Sequence, residues 1–173
     1  MNAFTFQLPG GEALARAFDV PFIVKRPDEA HSITGYASAQ GATTTAVEMG
    51  GRSEDEGKWA EHIAIGLRRA LAAAGVLSIS DTAPPVTQTE VERLTVLRPS
   101  RGGILIPEVP SASIGTIVPG GTVLGHVVDP VTFGVIETFE APFPQTALLL
   151  IRPTMTLLEG GAMTYVVAEP VGS

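Results

Sequence analysis

The sequence predicts an α/β layer over residues 1–80 and an all-β region over residues 99–173, joined by a linker and leading strand over 81–98. Three observations predict this. The first part alternates helix-period and strand-period segments and contains one strongly marked helix. The second part breaks its apolar runs with Gly and Pro every few residues. The second part also repeats itself, and a repeat dictates architecture.

Taken in order, Glu12 to Phe18 has a short helical pattern, with Leu14 and Phe18 on one side. Pro21 to Val24 is a short apolar strand, stopped by the polar run Lys25-Arg26-Pro27-Asp28. His31 to Gln40 is a short helix closed by Gly41, and Ala42 to Met49 has the Thr and Val content of a strand. Ser53 with Glu56 three residues later is a capping box, and Glu54, Asp55 and Glu56 complement the positive end of the helix dipole. Trp59, Ile63, Leu67, Leu71 and Ala74 then recur at helical spacing, which predicts that they form the buried stripe, and Gly75 is the C-cap. His62 falls on the solvated side of that helix. Strand and helix alternating through short connections predict parallel strands.

Asp81-Thr82-Ala83-Pro84-Pro85 is a linker by composition, and Glu90 to Leu97 alternates as a strand does. Beyond Pro99 there is no helix signal. The apolar runs are Ile104–Ile106, Thr116–Val118, Val123–Leu124, Ala147–Ile151 and Tyr165–Val167. Val118-Pro119-Gly120-Gly121-Thr122-Val123 aligns with Leu158-Glu159-Gly160-Gly161-Ala162-Met163, and Val127-Val128-Asp129-Pro130 with Val167-Ala168-Glu169-Pro170. With a short slip, Pro99 to Ile106 matches Pro142 to Leu149. The paired glycines suit tight turns that need positive φ. This β repeat resembles the barrel-sandwich hybrid fold of biotinyl and lipoyl domains, which carry a cofactor on a hairpin lysine. The matching stretch here, Asp129 to Val135, has no lysine, so a swinging-arm carrier is not expected.

Composition excludes several function classes. Forty-five per cent of the 173 residues are hydrophobic, enough for one or two modest cores. The net charge of −7 and the presence of only two lysines, Lys25 and Lys58, leave no basic footprint for nucleic acid or for an anionic membrane. No apolar run approaches the roughly 20 residues of a membrane span. The absence of cysteine removes disulfides, thiolate zinc sites and cysteine nucleophiles. The start, Met-Asn-Ala-Phe-Thr-Phe, lacks the pattern of a secretion signal, so a cytoplasmic location is expected.

Two segments in this order carry a family resemblance. One is Gly41-Ala42-Thr43-Thr44-Thr45-Ala46-Val47-Glu48-Met49-Gly50-Gly51, followed by the capped helix. The other is Arg98-Pro99-Ser100-Arg101-Gly102-Gly103, continued by Val118 to Gly125, Asp129-Pro130, Phe133-Gly134 and Glu140-Ala141-Pro142. From about Ala13 to Pro170 the chain resembles the C-terminal portion of the succinylglutamate desuccinylase/aspartoacylase family, zinc carboxypeptidase-like deacylases. The resemblance implies a carboxypeptidase-like α/β domain, here represented by its C-terminal part, followed by a barrel-sandwich hybrid β domain. It implies hydrolysis of the amide of an N-acyl amino acid, with zinc as cofactor. Glu48 matches the family's catalytic glutamate, which acts as general base and then general acid.

The resemblance also implies a His-x-x-Glu pair and a later histidine as zinc ligands, upstream of the Glu48 segment. None of His31, His62 and His126 has a glutamate at the third following position, so no metal ligand is assigned in this chain. No residue here matches the family's substrate-clamping arginine motif either, and the substrate-binding residues are open. Relative to the family the chain is incomplete, and it is expected to be inactive alone. It is a C-terminal fragment, one subunit of a split deacylase whose zinc-binding half is a separate chain, or a non-catalytic assembly module. The last reading expects exposed apolar surface and a homo-oligomer or another partner. Arg101, beside Gly102-Gly103, is a candidate for binding an anionic group or for a surface ion pair. Trp59 is expected as an anchor in the core or at an interface.

Overall fold

A computed structural model describes residues 4–26, 31–48, 56–79 and 86–172. They form two compact units, one up to Glu90 and one from Val91 onward.

In the first unit the elements are β1 (Phe4–Gln7), α1 (Glu12–Ala17), β2 (Phe22–Lys25), α2 (Ile33–Ala39), β3 (Thr45–Glu48) and α3 (Glu56–Ala73). The first two residues of β4 (Thr89–Leu97) also belong here, and the Thr89 N–H donates to Pro21 O at 2.9 Å. β1 is central. It runs parallel to β2, with Phe4 opposite Phe22, and antiparallel to β3, with Phe4 opposite Glu48. The expectation of parallel strands is thereby corrected to a mixed sheet. The α1 crossover makes β1 and β2 parallel, but β3 returns to the other side of β1 in the opposite sense, and local patterning does not encode that choice. β1 itself is absent from the elements read from the sequence.

Small residues set the packing of the helices. A Cβ on Gly11 would lie 2.1 Å from Thr44 O, so only glycine lets the start of α1 approach the start of β3. Thr5 Oγ1, buried in β1, donates to Ala15 O of α1 at 3.3 Å. α3 approaches α1 through Gly66, where a Cβ would come within 2.8 Å of Phe18 O, and Ala70 is buried one turn later. The predicted stripe on α3 is therefore corrected. Leu67 is 51% exposed and Ala74 is exposed, because close helix approach selects Gly66 and Ala70 instead of the larger apolar residues. Gly75 ends the helix as predicted, at φ 74°, with Val76 N–H donating to Leu71 O at 2.8 Å. The predicted capping box, with Ser53, Glu54 and Asp55, lies outside the described residues.

The second unit contains the rest of β4, then β5 (Gly103–Pro107), β6 (Ile117–Pro119), β7 (Val123–Val128), β8 (Val135–Glu140), β9 (Gln145–Ile151), β10 (Leu157–Leu158) and β11 (Tyr165–Pro170). A single 3-10 turn, Ser111–Ser113, interrupts the strands. The order β4-β11-β9-β6 makes one sheet and β10-β5-β7-β8 the other, and all neighbours within them are antiparallel. The repeat explains this order. β5, β6 and β7 correspond to β9, β10 and β11, and β4 precedes the first set as β8 precedes the second. Exchanging the two sets converts one sheet into the other. Each repeat thus contributes strands to both sheets, so neither half can bury its apolar face alone. Leu105, Leu124, Val127, Phe139, Leu148, Ile151, Leu158, Tyr165 and Val167, drawn from both sheets, form one core. Neither sheet closes into a barrel among the described residues.

The paired glycines have two different functions. The second of each pair, Gly121 (φ 76°) and Gly161 (φ 81°), makes the turn. The first permits close approach: a Cβ on Gly120 would lie 2.6 Å from Phe143 O, and one on Gly160 would lie 3.2 Å from Ser100 O. Each glycine loop therefore rests on the segment leading into the strand next to its own. Gly125 and Tyr165 occupy equivalent positions of the repeat and complement each other. A Cβ on Gly125 would lie 2.4 Å from the Tyr165 hydroxyl, which donates to Leu124 O at 3.0 Å. Burial raises the Tyr165 pKa well above that of an ordinary phenol, and the nearby Glu108 carboxylate adds to the rise.

Candidate active site

Glu48 is the last residue of β3 and is exposed. Its strand is tied to β1 by register and by Thr45 Oγ1, which donates to Phe6 O at 2.8 Å. Register also fixes the face on which Glu48 stands. Residues opposite one another across paired strands point to the same side, so Glu48 shares its side with Phe4, Phe6, Phe22, Val24 and Ala46. Phe4 and Phe6 meet edge-to-face at 5.2 Å, and the Arg26 guanidinium lies 4.2 Å above the Phe6 ring. The carboxylate thus projects from a stiff strand end at the rim of an apolar, aromatic-rich face. Met49, Gly50 and Gly51, which the resemblance pairs with it, lie outside the described residues.

The three histidines stand on separate elements. His31 is exposed in the turn before α2. His126 on β7 has Nδ1 3.0 Å from Thr138 Oγ1 and Nε2 3.6 Å from Glu108 Oε1. His62 corrects its expected place on the solvated side of α3. It is half-buried, and its Nε2 lies 2.9 Å from Asp19 O. The reason is the narrow Gly66–Ala70 seam, which turns the His62 side of α3 toward the end of α1. Among the described residues no group of three or more His, Cys, Asp or Glu side chains is arranged to hold a metal ion. The described residues therefore do not by themselves make a zinc site.

Asp19 is the polar centre that sequence reading missed. It is buried, with a left-handed φ of 56°, and its carboxylate accepts from Arg69 Nη1 and from Val86 N–H, both at 2.7 Å. Its signal was an Asp directly after a short helix, since Asp tolerates left-handed backbone better than most residues. Trp59 is half-buried and meets the His62 ring edge-on at 5.5 Å. Arg101 is exposed in the second unit. Asp129 lies in the connection between β7 and β8. Backbone N–H groups of Thr132 and then Val131 hold its carboxyl below the usual range, and the Arg101 charge adds to this. No helix among the described residues is long and apolar enough to cross a membrane.

Comparison with known proteins places the fold. No family model matches the sequence, and no curated protein matches it. Solved structures do match. The chain is similar to the ectoine utilization protein EutE (DoeB) from Ruegeria pomeroyi, at 18% identity and a TM-score of 0.74, covering 97% of this chain and 56% of that one. It is similar to an aspartoacylase family protein from Mesorhizobium loti, at 17% identity and a TM-score of 0.71, covering 99% and 53%. A succinylglutamate desuccinylase/aspartoacylase from Rhodobacter sphaeroides matches at 16% identity and a TM-score of 0.72, covering 99% and 55%. The fold is thus a mixed α/β arrangement with two sheets and few helices, and it is found in structures of the succinylglutamate desuccinylase/aspartoacylase family. The chain spans about half the length of the solved structures it matches.

Proposed function

We propose that this chain is the C-terminal half of a zinc-dependent N-acyl amino acid deacylase, with Glu48 as its general acid and base. The observation that supports it is the position of Glu48, on a strand end at the rim of an aromatic face, within a fold found in deacylase-family structures. In this reading residues 1–80 are the C-terminal part of a carboxypeptidase-like domain, and residues 99–173 are a barrel-sandwich hybrid domain. The interdigitated repeat supports the second assignment. Glu48 takes a proton from the attacking water and returns it to the leaving amine, a role worth roughly 10²- to 10⁴-fold in rate. The zinc implied by the resemblance is held outside the described residues, by the half that completes the enzyme.

The test supplies that half. The reading frame adjoining or continuous with this one is searched for His-x-x-Glu, and the two parts are purified together. The expected result is a complex that binds zinc and hydrolyses N-acyl amino acids, neither part doing so alone. A completed protein that binds no zinc contradicts the proposal.

A second reading, a non-catalytic assembly module, is favoured by apolar side chains left in water. Ile33 and Tyr36 on α2 are 85% and 66% exposed, and Val131 and Phe133 on the β7–β8 hairpin are 83% and 72% exposed. It predicts self-association measurable by light scattering, and a monodisperse monomer opposes it.

A further inference from the structure

His62 has a defined tautomer because of what its ring meets. A backbone carbonyl only accepts, so Nε2 carries the proton directed at Asp19 O, and in the neutral ring Nδ1 keeps its lone pair. The carbonyl does not wander, because the Asp19 carboxylate is anchored to Arg69 Nη1 and to Val86 N–H. The ring is thus held in one orientation, with Nδ1 left as an acceptor among the described residues. Beside it is a cleft of about 230 Å³, lined among the described residues by Trp59, Glu61, His62 and Ile65. The cleft combines an indole, a carboxylate, an imidazole acceptor and an aliphatic wall. Its volume suits a ligand of a few heavy atoms, below the usual range for drug-sized pockets.

We propose that this cleft is a binding site for a small organic ammonium ion. An ammonium group is attracted by the face of an indole and by a carboxylate, and it donates N–H to a neutral imidazole nitrogen. Trp59, Glu61 and His62 provide these three contacts, and Ile65 receives the alkyl part. An anion would meet Glu61 unfavourably, and a neutral alcohol could donate to the carboxylate but brings no positive charge to it or to the indole face. Of an anion, an alcohol and an alkylammonium, the alkylammonium suits all four described residues that line the cleft. None of these side chains takes part in the chemistry proposed for Glu48, so the site stands or falls independently of the deacylase reading.

Trp59 is the sole tryptophan of the chain, so its fluorescence reports on the cleft directly. The full chain is titrated with n-butylammonium chloride, and in parallel with sodium chloride at equal ionic strength and with 1-butanol. The site predicts a saturable change with butylammonium only. Glu61→Gln, an exposed substitution checked for unchanged circular dichroism, shifts the midpoint about threefold higher, the size expected for an exposed charge contact. Imidazole ¹⁵N spectra predict a movement of His62 Nδ1 along the same curve. A linear response, an equal response to sodium chloride or butanol, an unshifted Glu61→Gln midpoint, or an unmoved Nδ1 each overturns the proposal.

Discussion

The two units are built on opposite plans. The second buries apolar residues from both sheets in one core, and nearly every strand has a repeat partner whose position it constrains. The first has the mixed strand order β3-β1-β2, two helices brought together at Gly66, and an ion pair between buried Asp19 and half-buried Arg69. One unit is specified by duplication and the other by a few individual contacts. The lesson is that single substitutions act differently in them. In the first unit a few separate contacts carry the arrangement, the Asp19 carboxylate and the close approaches at Gly11 and Gly66, whereas in the second the shared core and the duplicated turns carry it.

The largest effect is expected at Asp19. Asp19→Ala removes the carboxylate that accepts from Arg69 Nη1 and from Val86 N–H, and leaves alanine at φ 56°. A loss of about 3–4 kcal/mol follows, read by denaturant titration and by faster hydrogen exchange confined to the first unit. Gly125→Ala tests the duplicated unit. Its Cβ meets the Tyr165 hydroxyl, Ile106 O at 2.7 Å and Pro107 Cα at 2.8 Å, so a loss of about 2–3 kcal/mol is expected, with exchange rising in the second unit. Gly134→Ala, with only Thr132 Oγ1 near at 3.4 Å, is the matched control and changes stability by less than about 0.5 kcal/mol.

Tyr165→Phe removes the bond to Leu124 O and costs about 1–2 kcal/mol. It also has a pH signature. Because folding raises the pKa of the phenol above its ordinary value of 10.0, its stabilising effect is complete below pH 10 and is lost as pH rises above that value. The wild-type chain should lose stability on that alkaline limb more steeply than Tyr165→Phe. The smallest effect belongs to Glu90. Hydrogen bonding to Lys25 first, with the charges of Lys25 and Arg16, holds its pKa below 4.5. Its contribution is present above pH 4.5 and is lost as pH falls further, so Glu90→Gln should flatten the acid limb of the stability curve slightly.

How far the sequence was legible follows the same division. In the second unit, β5, β6, β7, β9 and β11 all fall on the apolar runs, and the glycine pairs marked the turns, because the repeat states each position twice. β8 was missed, since Val135–Glu140 has no long apolar run, and the sharing of both sheets by each repeat is a pairing choice with no local signal. In the first unit Gly75 and α2 were legible from end signals. β1, the antiparallel entry of β3 and the buried side of α3 were not, because they depend on which strand is met in space and on how closely Gly66 lets two helices approach. Glu48 was legible as a strand-end carboxylate. Its aromatic neighbours Phe4 and Phe6 come from the strand that was missed, so the site's surroundings became visible only through register.

The most direct test of the central claim is the rate of N-acyl amino acid hydrolysis by the completed, zinc-loaded protein with Glu48 intact and with Glu48→Gln. As general acid and base on an exposed strand end, Glu48 predicts a kcat lower by roughly 10²- to 10⁴-fold in the variant, with KM and melting temperature nearly unchanged. An active enzyme whose kcat is indifferent to Glu48→Gln would contradict the account.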